Sequence, residues 1–120
     1  MYTSIVENDV ILAIVNTAMK NLSDEERIDR ATVRIMNLIG FAIISDKFID
    51  IHTLGKATVV LSVFDGIYIL TFKCEVINGD IRVSIVEIAN SIVNKDTEVF
   101  MLTNENDIID HIYNSTKHLF

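Results

Sequence analysis

The fold is decided by residues 56–88, KATVVLSVFDGIYILTFKCEVINGDIRVSIVEI. Two dipeptides in this stretch, Asp65-Gly66 and Asn78-Gly79, are typical of two-residue hairpin turns, because both central residues of such a turn adopt positive φ. Alternating residue types flank each turn, as expected for strands with one buried face. The stretch therefore predicts a meander of three antiparallel strands, at about 56–64, 67–77 and 80–88.

The two turns independently predict the same buried face. Closing the first turn sets apolar residues opposite one another, in the pairs Val63–Tyr68, Leu61–Leu70, Val59–Phe72 and Ala57–Cys74. Closing the second adds apolar pairs on that face, Val76–Ile81, Cys74–Val83 and Phe72–Ile85. On the other face, Glu75 falls beside Arg82, a favourable cross-strand charge pair. A one-residue slip would turn every side chain over, so the register is well specified.

Glu87 is the exception to this pattern. It falls on the buried face opposite Leu70, where an unpaired carboxylate is costly. We expect the third strand to bend or to end near Glu87. The alternative is that the strand continues and that Glu87 is an internal carboxylate.

Helices are predicted before the meander. Apolar residues at helical spacing predict a first helix over about 4–21. A second helix begins with the sequence SDEE at 23–26, a capping box in which the serine caps a backbone N–H and the last glutamate reaches back. This helix either ends at Gly40, which leaves 41–44 as a short strand, or continues to about Ile44, which we favour.

Shorter segments complete the predicted fold. Residues 48–52 and 98–102 resemble strands, and a final helix, capped by Thr103 or Asn104, is expected over about 105–119. The order α-α-β-β-β-β-β-α predicts an α+β fold, with two N-terminal helices and a C-terminal helix packed on a mostly antiparallel sheet. No linker or repeat interrupts the chain, so we expect a single domain over 1–120.

Composition and charge narrow the class of protein. Half of the residues are hydrophobic and the mean hydropathy is +0.38, which excludes a mostly disordered chain. No apolar run approaches the roughly 18–20 residues of a membrane-spanning helix. The net charge of −7 argues against nucleic acid and membranes as partners and suits a partner with a basic surface.

The remaining compositional features concern location and origin. Cys74 is the only cysteine, so no disulfide forms within the chain. The first residues contain Glu7 and Asp9 but no early Lys or Arg, unlike a signal peptide. We therefore expect a cytoplasmic protein. The 20 Ile and 10 Asn residues are typical of AT-rich genomes, which include those of many phages and viruses.

No group of residues has the signature of a metal, cofactor or catalytic site. His111 and His118 lie on one polar flank of the last helix. A metal ion there would need further ligands, for which the candidates are Asp107, Asn114 and His52. We interpret the flank as a solvated helix face, and we predict no metal, no cofactor and no catalytic residue.

Two further features have structural interpretations. Arg27, Arg30 and Arg34 form a basic stripe that would suit phosphate or carboxylates, but Glu26 lies four residues before Arg30, so local ion pairing is expected. Cys74 falls on the buried face and is expected to be a core residue rather than a reactive thiol. Because no nucleophile motif, phosphate-binding loop or family motif is recognisable, we expect no enzymatic activity.

The second face of the predicted sheet is partly apolar, although a solvated face should be polar throughout. It carries six apolar residues near the first turn: Val60, Phe64, Ile67, Ile69, Val86 and Ile88. Either a helix of the same chain or another subunit covers them, because large exposed apolar patches mark interfaces. These six residues are therefore a candidate protein interface.

These features together predict a small acidic protein that acts by binding another protein and forms homodimers. An inhibitor, an antitoxin-like or immunity-like protein and an assembly subunit, of phage or viral origin, are equally open. The alternative is a sensor that binds a small molecule between helices and sheet, beside Tyr68, Phe72 and Glu87. A small hydrolase or metal enzyme built on His111 and His118 is a third hypothesis.

Overall fold

The structure is a computed structural model that describes residues 22–43, 48–93 and 97–120. In chain order its elements are α1 (Asp24–Ala42), β1 (Ile49–Thr53), β2 (Thr58–Val63), β3 (Tyr68–Ile77), β4 (Asp80–Ala89), β5 (Ile92–Val93), β6 (Glu98–Met101), α2 (Glu105–Thr116) and a 3-10 helix (Lys117–Leu119). The helix predicted over about 4–21 lies outside the described residues.

The strands form one antiparallel sheet. β1 to β4 are neighbours in space in the order in which they follow one another in the chain. The other edge of β4 pairs with β6 at 82–85 and with β5 at 88–89. The described chain is therefore an α+β fold with an antiparallel sheet and a C-terminal helix, as predicted.

The predicted register of the meander is confirmed. Val63 lies opposite Tyr68, as the first turn requires, and Glu75 lies opposite Arg82, as the second requires. The Arg82 guanidinium donates a hydrogen bond to the Glu75 carboxylate over 2.9 Å. In both turns the two central residues have φ between 52° and 90°, the positive values that the sequence signature implies.

The strand does not end at Glu87, which is the internal carboxylate of the alternative considered. β4 continues to Ala89, and Glu87 stays opposite Leu70 on the core-facing side of the sheet, where it is only 8% exposed. The strand accommodates this side chain because the carboxylate accepts a hydrogen bond from the Tyr68 hydroxyl. A hydrogen bond inside the protein offsets part of the cost of removing a carboxylate from water.

Helix α1 begins at the predicted cap. The Ser23 side chain accepts a hydrogen bond from the backbone N–H of Glu26 over 3.2 Å. The Glu26 carboxylate reaches back and accepts from the Ser23 hydroxyl over 3.0 Å. The helix passes Gly40 and ends at Ala42, which confirms the longer of the two helices considered.

Strand β5 is an element that the sequence analysis did not predict. The turn before it consists of Asn90 and Ser91, with φ of 53° and 66°, and sets Ala89 opposite Ile92. This turn lacks the glycine that marks the other two. The strand also has two residues only, too few for the alternation from which strands are recognised.

The hydrophobic core lies between one face of the sheet and the two helices. Its fully buried members include Ile35 and Leu38 of α1, Leu70 and Phe72 of β3, and Ile112 of α2. The face of the sheet that packs against this core, the first face, is the one that both turns predict. The second face is the opposite one. Among the described residues, no helix has both the length and the apolar character needed to cross a membrane.

Candidate functional site

A cavity of about 450 Å³ lies where one end of the sheet meets the C-terminal segment. Antiparallel pairing brings the start of β3 beside the end of β4, and the last turn of α2 with the 3-10 helix closes the other side. This terminal cavity is lined by Ile67, Tyr68, Glu87, Ala89, Asn90, Asn114, Ser115, His118 and Leu119.

A buried tyrosine–glutamate pair forms part of the cavity wall. Tyr68 is 4% exposed, and its hydroxyl donates a hydrogen bond to Glu87 Oε2 over 2.5 Å. Tyr68 lies directly opposite Ala89, so Tyr68 and Glu87 are diagonal neighbours on the first face. Long and aromatic side chains reach each other across such a diagonal, and the small side chain of Ala89 leaves space for the contact.

The surroundings of Tyr68 keep its hydroxyl protonated. Burial raises the pKa of Tyr68, and the hydrogen bond to Glu87 together with the negative charge of that carboxylate raises the pKa further. A hydrogen bond from the Ser115 side chain acts on this pKa in the opposite direction but does not outweigh the other causes. Near neutral pH, Tyr68 is therefore a neutral hydrogen-bond donor to Glu87.

Polar groups surround the mouth of the cavity. His118 is exposed, and its ring meets the Tyr68 ring edge-on, with the two ring centroids 6.3 Å apart. Asn90 and Asn114 are also exposed. The backbone N–H of Asn90 donates to the carbonyl of Ile67 over 2.8 Å, which joins the two strand ends at the cavity. The cavity thus has a polar, solvent-accessible mouth and a buried floor.

The lining combines few charges with many hydrogen-bonding groups. Glu87 is its one carboxylate among the described residues, and no described Lys or Arg takes part. Two hydroxyls, two amides and an imidazole add donors and acceptors, and Ile67 and Leu119 add apolar surface. The cavity volume falls within the range of small-molecule binding sites, about 300–1,000 Å³.

Two of the three residues considered from the sequence for a small-molecule pocket line this cavity. Tyr68 and Glu87 both reach the cavity, but Phe72 is fully buried in the core and does not line it. Ser115 was missed. The sequence does contain a feature that could have identified it. Ser115 lies three residues after Ile112, on the buried side of α2, where its hydroxyl interrupts a stripe of apolar side chains.

The six residues predicted as a protein interface have different surroundings. Their exposure ranges from buried Val60, through half-buried Phe64, Ile69, Val86 and Ile88, to Ile67, which is 57% exposed. The Phe64 ring packs against the core, with its centroid 5.5 Å from that of Phe48 and 6.1 Å from that of Phe120. Val93 of β5 extends the apolar row that Ile69 and Ile88 form on the second face.

The histidines of the predicted polar flank are not brought to one site. The His111 ring lies 5.3 Å from the Phe100 ring of β6, whereas His118 contacts Tyr68. His52 pairs with Asp50 on β1, over 3.2 Å. Within the ranges that the structure describes, no three His, Cys, Asp or Glu side chains are grouped closely enough to hold a metal ion.

The arginines of α1 contact distant parts of the chain. Arg34 donates two hydrogen bonds to the Glu105 carboxylate at the start of α2, one of them over 2.7 Å, and Arg27 donates to the carbonyl of Gly79. None of the ion pairs between described residues involves Arg30, so the local pairing expected for it is wrong. Local pairs on a helix surface contribute only about 0.2–0.5 kcal/mol each, too little to hold these side chains.

Cys74 is a core residue, as predicted. It is buried, and burial raises the pKa of its thiol to about 11. Little thiolate is present near neutral pH, and a reactive cysteine needs both thiolate and access. The structure therefore places Cys74 among the packing residues and outside the candidate site.

Comparison of the chain with protein-family models, curated proteins and solved structures finds no match to any of them.

Proposed function

We propose that this protein binds a small polar organic molecule in the terminal cavity. The observation that carries the proposal is the hydrogen-bonded Tyr68–Glu87 pair in the cavity wall. The preceding core-facing residues of β4, Val83 and Ile85, are apolar, and an apolar residue at 87 would cost less to bury. Natural proteins accept such local costs mainly where function needs polar groups.

The scaffold supports the same function. β3 and β4 pair along all ten residues of each strand, so the strands that carry Tyr68 and Glu87 are held in one register. Ser115, which is buried on the facing helix, adds a hydroxyl to the floor. Polar groups that are positioned before the ligand arrives reduce the entropy lost on binding.

A screen of small polar molecules, followed by ¹H–¹⁵N NMR spectra, tests the proposal. A cavity ligand is expected to shift the backbone amide resonances of Ala89, Asn90 and Ser115. The resonances of the Asn78-Gly79 turn, at the far end of the meander, should stay in place. Native mass spectrometry of freshly purified protein shows whether a ligand is retained. A broad screen in which no compound shifts the cavity resonances would refute the proposal.

A matched pair of variants locates the binding site. Tyr68→Phe removes one hydroxyl from the cavity floor and is expected to weaken the binding of any ligand found in the screen. Glu98→Gln removes an exposed carboxylate from β6, outside the cavity lining, and should leave binding unchanged. Equal effects of the two variants would mean that the ligand binds elsewhere.

The second candidate function is protein binding, with a second copy of this chain as the partner. Exposed apolar side chains near the same end of the sheet favour it, because Ile67, Ile92 and Val93 are 57%, 67% and 63% exposed. The net charge of −7 would also favour a basic surface on a different partner.

For either function we place the protein in the cytoplasm, where the lone Cys74 thiol stays reduced.

Light scattering at micromolar concentration tests the homodimer. A dimer would have twice the chain mass of 13.6 kDa, and Val93→Asp should return it to the monomer. Lys73→Glu, on the polar part of the second face, is the control and should leave the mass unchanged. A mass of 13.6 kDa for the unmodified protein would refute the homodimer.

A further inference from the structure

Strand β1 forms one edge of the sheet. Among the described strands it pairs with β2 alone. An edge strand presents a row of backbone N–H and C=O groups with which another strand can pair, and natural proteins often protect such an edge with lysine, proline or a bulge. The sequence of β1, IDIHT, contains neither lysine nor proline, and its register with β2 is uninterrupted. We propose that β1 pairs with β1 of a second copy of this chain.

The backbone groups of β1 alternate between β2 and the open edge. Just beyond the strand, the Leu54 N–H donates to the Thr58 carbonyl of β2 over 2.8 Å. In an antiparallel pair such bonds recur at every second residue, so the backbone groups of the even-numbered residues of β1 point to β2. The N–H and C=O groups of the odd-numbered residues therefore point to the open edge, and these residues are Ile49, Ile51 and Thr53.

A two-fold axis at Ile51 makes this edge complementary to itself. Ile51 then lies opposite Ile51 of the second copy and Ile49 lies opposite Thr53, so all three outward-pointing residues gain backbone partners. Asp50 falls opposite His52, where the imidazole N–H is a donor for the carboxylate. An axis at Asp50 would instead set two carboxylates opposite each other, which is destabilising. The register centred on Ile51 is therefore the favoured one.

Exposed apolar side chains flank the strand symmetrically. Phe48 and Leu54 are 68% and 64% exposed, and they lie three residues to either side of Ile51. The two-fold register therefore sets Phe48 of each copy opposite Leu54 of the other, at both ends of the paired strands. Removing apolar surface from water favours association, so these contacts add to the backbone hydrogen bonds at the centre.

This edge is a different surface from the one that favours the second candidate function. Ile92 and Val93 belong to β5, which pairs with β4 at the other end of the strand order. The described lining of the terminal cavity contains no residue of β1. The pairing is therefore independent both of a ligand in the cavity and of the apolar residues on β5.

Light scattering at micromolar concentration, with charge variants of the two exposed polar residues of β1, tests the pairing. The unmodified protein should have twice the chain mass of 13.6 kDa. His52→Glu sets a carboxylate opposite Asp50 at two symmetry-related positions and should raise the dissociation constant of the dimer at least roughly tenfold. The double variant of Asp50→Lys with His52→Glu makes both pairs attractive again and should restore the dimer.

Val93→Asp is the matched control, because it also introduces one carboxylate but places it on β5. This variant should remain dimeric. If Val93→Asp dissociates the dimer and His52→Glu does not, the inference is overturned and the interface is that of the second candidate function. A mass of 13.6 kDa for the unmodified protein overturns both interfaces and leaves ligand binding in the cavity unaffected.

Amide hydrogen exchange of the unmodified protein gives a readout at the backbone itself. The amides of Ile49, Ile51 and Thr53 point to the open edge, so they should exchange slowly in the dimer and rapidly after dilution to the monomer. The amides of Asp50 and His52 bond to β2 and should be protected in both states. Rapid exchange of the three outward-pointing amides in the dimer would overturn the inference, even if the charge variants do not fold.

Discussion

Tyr68 on β3 donates a hydrogen bond to Glu87 on β4 from a diagonal position on the core-facing side of the sheet. This bond joins two strands at the same place where they line the terminal cavity. The stability of this end of the sheet and the chemistry of the candidate site therefore depend on the same two side chains.

The Tyr68–Glu87 pair is expected to be energetically coupled. Glu87→Leu leaves the buried Tyr68 hydroxyl without this acceptor and should lower the free energy of unfolding by about 1–3 kcal/mol. The double variant with Tyr68→Phe should be more stable than Glu87→Leu alone, because no hydroxyl then loses its partner. Urea unfolding followed by circular dichroism gives the four free energies of the double-mutant cycle. Additive effects of the two substitutions would show that the pair is not coupled.

The ion pair between the two helices is expected to make stability depend on pH. Hydrogen bonds from Arg34 lower the pKa of Glu105 below its ordinary 4.5. A carboxyl with a lowered folded-state pKa stabilises the fold above its unfolded-state pKa, and this stabilisation is lost as the pH falls through the folded-state value. Both side chains are more than a third exposed, so the contribution is at most about 1 kcal/mol.

Glu105→Gln tests this dependence. At pH 7 the variant should be less stable than the unmodified protein by up to about 1 kcal/mol, as measured by urea unfolding. The difference should shrink as the pH falls below 4.5. A difference that stays constant down to pH values well below this would mean that the charge of Glu105 does not contribute.

Substitution by alanine is expected to change the free energy of unfolding in opposite directions at two glycines. Gly79 has a φ of +83° in a hairpin turn, so Gly79→Ala should destabilise the protein by about 1 kcal/mol. Gly40 lies inside α1, and a Cβ there would meet open space, so Gly40→Ala should stabilise it by about 0.5–1 kcal/mol. Urea unfolding of both variants checks the signs, and shifts in the same direction would contradict this account.

The Cys74 thiol is expected to react slowly with a thiol reagent such as DTNB in the folded protein at pH 8. Burial excludes the reagent and raises the pKa of the thiol to about 11, so little thiolate is present. In urea the same thiol should react at the rate of a free cysteine. Rapid labelling without denaturant would show that the sheet opens at this position.

The meander could be predicted because the residues that specify it lie close together in the sequence. Asp65-Gly66 and Asn78-Gly79 require positive φ, and each turn sets the partner of every residue in the strands beside it. The turn at Asn90 was missed, since the chain adopts positive φ there without a glycine. The contacts of Arg27 and Arg34 were missed because local charge patterns do not show which distant groups lie within reach of a helix.

The sequence by itself determined the antiparallel register, the core-facing side of the sheet and the anomaly at Glu87. Only the tertiary structure showed that Glu87 stays within β4 and accepts a hydrogen bond from Tyr68. Ser115 and His118 come from the C-terminal helical segment, whose position on the sheet no local pattern specifies. A cavity is the space left between packed elements, so it exists only once their relative positions are set. The physical reason for the division is that register follows from hydrogen bonding between neighbouring strands, whereas a cavity follows from the packing of the whole fold.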